Sequence, residues 1–414
     1  MEKTPTELDA LSTKLQTYQG MGLSIDMTRG VPCKEQLDLS MPMMDVLNSK
    51  AELTCEDGID CRNYGVLGGI PECKKLLGDI IEVDPKNIII FGNSSLNIMF
   101  ECISHAFSHG IMGSTPWCKL DRPAKWLCPV PGYDRHFAIT EYFGIEMIDV
   151  PMDENGPDMD RVEELIKDPY VKGIWCIPKY SNPGGITYSK QVVARFANLK
   201  PAAGDFRIYW DNAYSVHHLY EDDQDYLPEL LEECKKAGNP DLVYKFTSTS
   251  KISFPGSGIA AIAASEDNLN EIRRWMKVST IGYDKVNQLR HVRFFKDLGG
   301  IKAQMRGHAA ILRPKFELVE RLFEEELKGI ASWSKPKGGY FIALEVPGIA
   351  KQVIERCDHC GVHFTEAGCA FPYHKDPENK IIRVAPSVPS LKELEIAIRV
   401  LCLSVQIESL LRRG

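Results

Sequence analysis

Short apolar runs alternate with amphipathic stretches through the middle of the chain, between about residues 87 and 263. This alternation is typical of an α/β fold in which helices connect the strands of a parallel sheet. The predicted strands are Asn87–Phe91, Ala124–Val130, Glu146–Val150, Gly173–Pro178, Ile208–Asp211, Val243–Thr247 and Gly258–Ala263. The predicted helices include Ser95–Ser108, Met159–Lys167 and Lys190–Leu199. Because open α/β sheets bind ligands at the carboxyl ends of their strands, we expect the functional site there.

The pattern changes after Gly300, where longer amphipathic segments replace the short runs. The predicted elements are a helix over Ile301–Leu327, a Pro/Gly turn over Lys335–Gly339, a strand over Tyr340–Glu345, a helix over Ala350–Cys360, and a final helix after a capping box formed by Ser390 and Glu393. We therefore predict a large domain with a mostly parallel central sheet over residues 46–300, and a smaller α+β domain over residues 301–414. Residues 1–45 hold too little apolar sequence for their own core and should pack on the smaller domain.

Composition and charge exclude several classes of function. The 414 residues carry a formal net charge of −8, so there is no basic excess for binding nucleic acid. No apolar stretch of about 18 residues is present, and the N-terminus lacks the apolar core of a secretory signal, so we expect no membrane association and a cytoplasmic protein. The 13 cysteines are spread thinly, which favours free thiols in a reducing compartment.

One cysteine pair, Cys357 and Cys360, has the C-x-x-C spacing of metal and redox sites. Such sites need a second ligand pair or a thioredoxin-like context, and the sequence shows neither. We therefore predict a structural role for this pair and no metal site.

A lysine in an unusual setting is the first candidate for chemistry. Lys251 lies in FTSTSKISFPGSGIA, between an apolar strand and a glycine-rich strand, and three small hydroxyl residues precede it. A lysine amine becomes a useful nucleophile when desolvation keeps it partly neutral, and the hydroxyls can hydrogen-bond a phosphate beside it. The alternative is a lysine at a strand end whose amine reaches solvent.

Three further motifs end predicted strands. Asp211 and Tyr214 lie in WDNAYSVHH, Asn182 lies in YSNPGGI, and Asn93, Ser94 and Ser95 lie in FGNSSLNIMF at the start of a helix. A helix N-terminus of this kind is a natural phosphate seat. Each motif has a plain structural alternative: Asp211 or the Ser pair as a helix cap, and Asn-Pro-Gly as a turn.

Together the four motifs match the requirements of one cofactor, pyridoxal phosphate. Its aldehyde needs a lysine, its pyridine nitrogen a carboxylate, its ring oxygen hydrogen-bond donors, and its phosphate a helix terminus. All four are predicted at strand ends of a single α/β region.

On these motifs the chain resembles the fold-type I pyridoxal-phosphate aminotransferases over nearly its whole length. The resemblance implies that Lys251 binds the cofactor and carries the proton, and that Asp211 pairs with the pyridine nitrogen. It implies that Asn182 and Tyr214 hold the ring oxygen, and that Tyr133, in CPVPGYDRHF, stacks on the ring.

The same resemblance assigns the phosphate and substrate contacts. Ser94, Ser95 and Ser248, with Asn93, fit phosphate positions, and Tyr64, in RNYGVLGGIPE, resembles a tyrosine that reaches the phosphate across a homodimer interface. Arg383, in KIIRVAPS, resembles the arginine that binds the substrate α-carboxylate. Gly30 and Asn182 are expected beside the substrate.

Several sequence segments are similar to segments of a divergent bacterial subgroup of aspartate aminotransferases. They are TRGVPCKEQLDLS, RNYGVLGGIPE, GNSSLNIM, STSKISFPGSGIA, DKVNQLRH and ILRPKFELV. This similarity implies amino acids and 2-oxo acids as substrates, with aspartate and 2-oxoglutarate favoured, and ping-pong kinetics. The cation for a distal carboxylate stays open among Arg29, Lys285 and Arg290, since each also fits an ordinary surface or interface charge.

One position departs from the wider family, which has an arginine for the phosphate shortly after the lysine. Gly258 occupies that position here, and a hydrogen bond from a charged group is worth about 1.5–3 kcal/mol. We expect Ser253 or Ser257 to provide neutral hydrogen bonds instead.

Other functions remain open. The same fold supports another amino donor or a β-lyase reaction, because a fold does not determine chemistry. A non-catalytic effector domain of a transcription regulator is disfavoured, because the matching region starts within about thirty residues of Met1 and the chain is acidic.

Overall fold

The computed structural model describes residues 6–413. The helices are α1 (Glu7–Gln19), α2 (Lys34–Asp38), α3 (Pro71–Ile81), α4 (Ser95–His109), α5 (Asp134–Tyr142), α6 (Met159–Leu165), α7 (Lys190–Ala197), α8 (Leu230–Lys236), α9 (Glu266–Ser279), α10 (Lys285–Phe295), α11 (Leu298–Glu326), α12 (Ala350–His359) and α13 (Leu391–Arg413). The strands are β1 (Ile25–Asp26), β2 (Ile88–Ile90), β3 (Lys125–Val130), β4 (Glu146–Asp153), β5 (Gly156–Pro157), β6 (Val171–Cys176), β7 (Arg207–Asp211), β8 (Val243–Ser248), β9 (Ala260–Ala263), β10 (Ser332–Trp333), β11 (Ile342–Glu345), β12 (Val362–His363) and β13 (Ile381–Val384).

The central sheet has the strand order β2-β9-β8-β7-β6-β3-β4-β5. Strands β8, β7, β6, β3 and β4 pair in parallel, while β9 runs antiparallel to both of its neighbours and β5 runs antiparallel to β4. The predicted α/β class with a mostly parallel central sheet is confirmed. Every residue of β6, β7 and β8 is buried, as expected for central strands covered by helices on both faces.

A second sheet, β10-β11-β13, is antiparallel and packs among α1, α11, α12 and α13. Leu15 and Met27 from the N-terminal segment belong to the same apolar cluster as Phe316, Val384 and Leu401. Leu15 and Met27 therefore pack with residues of the C-terminal part of the chain.

Most predicted elements are present, with ends shifted by a few residues. The predicted strand Gly258–Ala263 begins only at Ala260, because Pro255–Ser257 form a single 3-10 turn before it. The predicted helix Ile301–Leu327 begins at Leu298, where the Asp297 side chain accepts a hydrogen bond from Gly300 N (3.0 Å). The predicted capping box is formed, with Glu393 N donating to Ser390 Oγ (3.3 Å).

The division into two domains stays a prediction: a large domain over residues 46–300, and a smaller one over residues 1–45 together with 301–414. Residues 1–5 and 414, at the outer ends of the smaller domain, lie outside the described residues. Within residues 6–413, no helix combines the length and apolar character needed to cross a membrane. Cys357 and Cys360 are buried free thiols, and Cys357 Sγ lies 3.6 Å from Ser404 Oγ.

Candidate active site

A cavity of about 650 Å³ opens at the carboxyl ends of β7 and β8 and extends to β13 of the smaller sheet. Because β7 and β8 are parallel, their final residues, Asp211 and Ser248, lie at the same edge of the sheet. The predicted site residues that line this cavity are Gly30, Ser94, Ser95, Tyr133, Asn182, Asp211, Tyr214, Ser248, Lys251 and Arg383.

Lys251 lies in the turn after β8 with its amine among aromatic rings. Its Nζ is 5.3 Å from the ring centroid of Tyr214 and 6.0 Å from that of Tyr340. Burial lowers the pKa of the Lys251 amine from its ordinary value, and the nearby Asp211 carboxylate partly opposes this change. The half-buried Lys251 side chain therefore places its amine against aromatic rings in the cavity wall, where the lowered pKa favours the neutral, nucleophilic form.

Asp211 is the last residue of β7 and its side chain is almost completely buried. Its Oδ2 lies 3.2 Å from Nε2 of His136, whose ring stacks on Trp175 with a centroid distance of 4.6 Å. Its Oδ1 is buried and has no hydrogen-bond partner within the described part of the chain. Buried carboxylate oxygens are normally paired, so Oδ1 is positioned for a donor inside the cavity.

Asn182 and Tyr214 supply further polar groups to the same cavity. Asn182 is buried, and its Oδ1 finds no partner among residues 6–413. Burial raises the pKa of Tyr214 well above its ordinary value and that of Tyr133 to about 12, so both hydroxyls stay protonated. Protonated phenols can donate hydrogen bonds.

The N-terminus of α4 opens into the cavity. Ser94 is the N-cap residue, yet its side chain caps none of the described backbone N–H groups. Ser248 Oγ donates to Ser250 Oγ (3.2 Å), and Ser250 Oγ donates to Asn93 O (2.9 Å). Hydroxyls and the first N–H groups of a helix form the setting that an anion such as phosphate prefers.

Asn93 does not line the cavity. Its side chain is exposed and its Nδ2 lies 3.5 Å from Pro255 O. Its main-chain carbonyl instead accepts a hydrogen bond from Ser250, one of the three hydroxyl residues before Lys251, and Ser250 does line the cavity.

The loop around Gly258, where the wider family has an arginine for the phosphate, leaves little room for a side chain. A Cβ at Gly258 would lie 3.2 Å from both Ser250 N and Thr249 Oγ1, and 3.3 Å from Phe254 O. Ser253 Oγ lies 2.8 Å from His291 Nε2, and Ser257 Oγ accepts from Arg290 Nη2 (2.5 Å). Neither serine lines the cavity, whereas Ser248 and Ser250 do.

Arg383 lies in β13 of the smaller sheet and places a positive charge in the cavity wall. Its Nη1 donates to Asp134 Oδ1 (2.7 Å) and its Nη2 to Thr365 Oγ1 (3.1 Å), and its guanidinium lies 5.2 Å from the ring centroid of Phe341. A Cβ at Gly30 would lie 2.4 Å from the Phe341 ring, so only glycine allows the N-terminal segment to pass here.

Tyr64 and the three candidate distal cations occupy different surroundings. Tyr64 is 79% exposed and lies outside the cavity. Lys285 Nζ donates to Gly65 O (3.0 Å), and Arg290 is bonded to Ser257. Of the three cations, Arg29 is the one that lines the cavity.

His136, Asp134 and Thr365 were not predicted as site residues, and Ser250 was expected only as one of three hydroxyls before Lys251 that can hydrogen-bond a phosphate. Asp134 and His136 lie in the same motif as Tyr133, PGYDRHF, so the prediction of Tyr133 as a site residue could have pointed to both of them. Thr365 lies in no such motif, so the sequence gave no signal for its contact with Arg383.

These residues fit pyridoxal phosphate. The buried, unpartnered Asp211 Oδ1 in the cavity wall could accept a hydrogen bond from a protonated pyridine nitrogen, and Tyr214 could donate one to the ring oxygen. The open α4 N-terminus suits a phosphate, and the desolvated Lys251 amine suits an aldehyde.

Known proteins of similar fold are aminotransferases. The crystal structure of an aspartate transaminase from Corynebacterium glutamicum superimposes with a TM-score of 0.95 at 42% identity, covering 98% of this chain and 96% of that one. The α-aminoadipate aminotransferase LysN of Thermus thermophilus, complexed with N-(5'-phosphopyridoxyl)-L-leucine, shares the fold with a TM-score of 0.75 at 20% identity, covering 97% and 95% of the two chains. The fold is therefore that of the fold-type I aminotransferases, and the protein is an enzyme of the aminotransferase class.

Sequence comparison places the chain more narrowly. An aspartate aminotransferase from Corynebacterium glutamicum is 45% identical over 398 residues, which are 94% of this chain and 90% of that protein. The family described as aspartate amino-transferase matches residues 1–413, and the chain belongs to this family.

Proposed function

We propose that the protein is a pyridoxal-phosphate-dependent transaminase that uses L-aspartate as amino donor and 2-oxoglutarate as acceptor. The observation that carries this proposal is the single cavity lined by Lys251, Asp211 and Arg383, which combines a nucleophilic amine, a buried carboxylate and an arginine. The similarity to an aspartate aminotransferase over most of the chain supports the choice of donor.

In this proposal the cofactor is held by residues already positioned without it. Lys251 binds it covalently, Asp211 pairs with its pyridine nitrogen, Asn182 and Tyr214 contact its ring oxygen, and Tyr133 stacks on its ring. Ser94, Ser95, Ser248 and Ser250 hold its phosphate. When bound, the cofactor supplies an electron sink for the substrate Cα.

The protein residues orient the substrate and move its proton. Arg383 binds the α-carboxylate and fixes the direction of the Cα–H bond, which favours proton removal over loss of the carboxylate. Lys251 Nζ, with its lowered pKa, takes the Cα proton as general base and returns a proton as general acid. The 2-oxo acid product then leaves before the second 2-oxo acid binds, which gives ping-pong kinetics.

Arg29 is proposed to bind the distal carboxylate of aspartate. It lines the cavity close to Gly30 and Thr28, and no ion pair from it is formed within residues 6–413. A dicarboxylate needs a second cation in addition to Arg383, and Arg29 can provide it without breaking an existing pair.

We also propose a homodimer in the cytoplasm, with Tyr64 contacting the phosphate in the neighbouring subunit. Tyr64 is exposed, and the next residue in its loop, Gly65, packs against Gly282. Two exposed apolar residues, Ile281 and Val286, lie near Gly282 in the sequence. An exposed apolar patch beside a tyrosine is typical of a protein interface.

The activity is tested with a panel of amino donors against 2-oxoglutarate, followed through the visible absorbance of the bound cofactor and through glutamate formation. Aspartate is expected to give the highest kcat/KM. Ammonia release without need for 2-oxoglutarate would indicate a lyase, and preference for another donor would refute the choice of aspartate.

Replacement of the distal cation tests its role directly. Arg29→Gln is expected to lower kcat/KM for aspartate roughly tenfold or more while changing that for alanine much less, because alanine has no distal carboxylate. Arg293→Gln is the matched control, since Arg293 is exposed and lies outside the cavity. Equal losses for aspartate and alanine would show that Arg29 does not read the distal carboxylate.

A further inference from the structure

Asp134 forms a salt bridge with Arg383, the arginine that is proposed to bind the substrate α-carboxylate. It is the first residue of α5, follows Tyr133 directly and lines the same cavity. Its Oδ1 accepts a hydrogen bond from Arg383 Nη1 at 2.7 Å, which makes a salt bridge. An α-carboxylate bound by Arg383 therefore meets a resident carboxylate on the same guanidinium.

The pair is built into the cavity wall and is not a surface contact. The Arg383 side chain is only 7% exposed and that of Asp134 25% exposed. Arg383 is also held by Thr365, whose hydroxyl donates to Thr28 O (2.8 Å), so the N-terminal segment, β13 and α5 are all linked through this arginine. A buried arginine without a counter-ion would be costly, and Asp134 supplies that counter-ion.

Donors remain for a second carboxylate. A guanidinium has five N–H groups, and Asp134 and Thr365 accept one hydrogen bond each from Arg383 Nη1 and Nη2, so each of these two nitrogens keeps a second N–H. An incoming carboxylate can therefore bind Arg383 while Asp134 stays in place. The two carboxylates then lie close together around one cation, and their repulsion weakens the binding of the second.

We propose that Asp134 is a positioning residue that holds the Arg383 guanidinium and weakens its affinity for carboxylates. The inference rests on the proposed role of Arg383 as the α-carboxylate group. Substrates and products of transamination all carry this carboxylate, so a weaker site releases each 2-oxo acid product more readily before the second substrate binds.

The test separates charge from geometry. Asp134→Asn keeps an oxygen that accepts from Nη1 and removes the negative charge. Calorimetric titration of the holoenzyme with succinate is expected to give a Kd roughly tenfold lower than wild type, with KM for aspartate and 2-oxoglutarate also lowered and kcat not raised. Asp134→Glu restores the charge and is expected to return Kd toward the wild-type value.

Two controls make the result decisive. Asp160→Asn removes a similar charge near the start of α6, where Asp160 pairs with Arg195 outside the cavity, and should leave Kd and KM unchanged. Propionate, with one carboxylate, should also bind Asp134→Asn more tightly whichever amino donor the enzyme prefers, so failure of aspartate as donor is distinguishable from failure of this inference. An unchanged or higher Kd in Asp134→Asn with a normal unfolding temperature would overturn it.

Discussion

At the scale of single residues, Lys251 combines a chemical role with a cost to the fold. Burial lowers the pKa of its amine below the ordinary value of 10.5, so the unfolded chain binds the proton more strongly than the folded chain. Below the depressed pKa the cofactor-free protein bears the full cost of a buried charge. The cost disappears as pH rises from that pKa to 10.5, so stability rises with pH across this window.

Lys251→Met is therefore expected to stabilise the cofactor-free protein at neutral pH. The difference in free energy of unfolding between variant and wild type should shrink as pH approaches 10.5, measured by urea denaturation at several pH values. Lys50→Met, at an exposed lysine, is the control and should show no such trend. A constant difference between Lys251→Met and wild type across pH would contradict the prediction.

The role of a site residue could be predicted where a local sequence motif indicated its chemistry. Lys251, Asp211 and Asn182 stand in such motifs, and all three line the cavity. Asp134 and His136 were missed because their meaning depends on partners 249 and 75 positions away, Arg383 and Asp211. Spacing along the chain carries no information about such pairs.

At the scale of elements, the segment between β1 and α2 positions the arginine through one ring. Gly30→Ala would place a Cβ 2.4 Å from the Phe341 ring, on which the Arg383 guanidinium rests. The ring must move and Arg383 with it, so KM for both substrates is expected to rise roughly tenfold.

Gly204→Ala is the matched control for this change, because a Cβ at Gly204 would meet no atom within 4 Å. Steady-state kinetics with aspartate and 2-oxoglutarate measure both variants. Wild-type KM values in Gly30→Ala would mean that Phe341 does not position Arg383.

Elements were predictable where apolar periodicity was strong, and missed where polar residues are buried. No helix was predicted over Lys285–Phe295, the range of α10, because Gln288 and His291 interrupt its apolar face. Both are satisfied by distant partners: Gln288 Oε1 accepts from Ile70 N (2.9 Å), and His291 Nε2 lies 2.8 Å from Ser253 Oγ. The His291 contact holds the loop that carries Lys251, and the Gln288 bond holds the residue before α3. A sequence pattern shows neither.

At the scale of the whole molecule, the mostly parallel central sheet followed from patterning, whereas a homodimer was expected only from a resemblance. Subunit association depends on which exposed side chains meet, and no apolar pattern around the exposed Tyr64 indicates this role, which was expected only from the resemblance of its motif. The proposed shared site makes its role testable by mixing two inactive variants. Lys251→Ala removes the proton carrier and should lower turnover roughly a thousandfold, while Tyr64→Ala should weaken cofactor binding.

In a shared-site homodimer, the two variants complement each other. A heterodimer of Lys251→Ala and Tyr64→Ala subunits has one site with both changes and one site with neither, because Lys251 and Tyr64 of each site come from different chains. Co-refolding equal amounts makes half of the dimers mixed, so activity at limiting cofactor should recover to roughly a quarter of wild type. In the control mixture, Tyr142→Ala replaces Tyr64→Ala, because Tyr142 is also exposed and lies outside the cavity. Exchange of subunits restores no site in that mixture. Its activity should therefore equal the average of the activities of its two parent variants. If Tyr64 served its own subunit, every site of the heterodimer would carry one lesion, and mixing would give no gain over the separate variants.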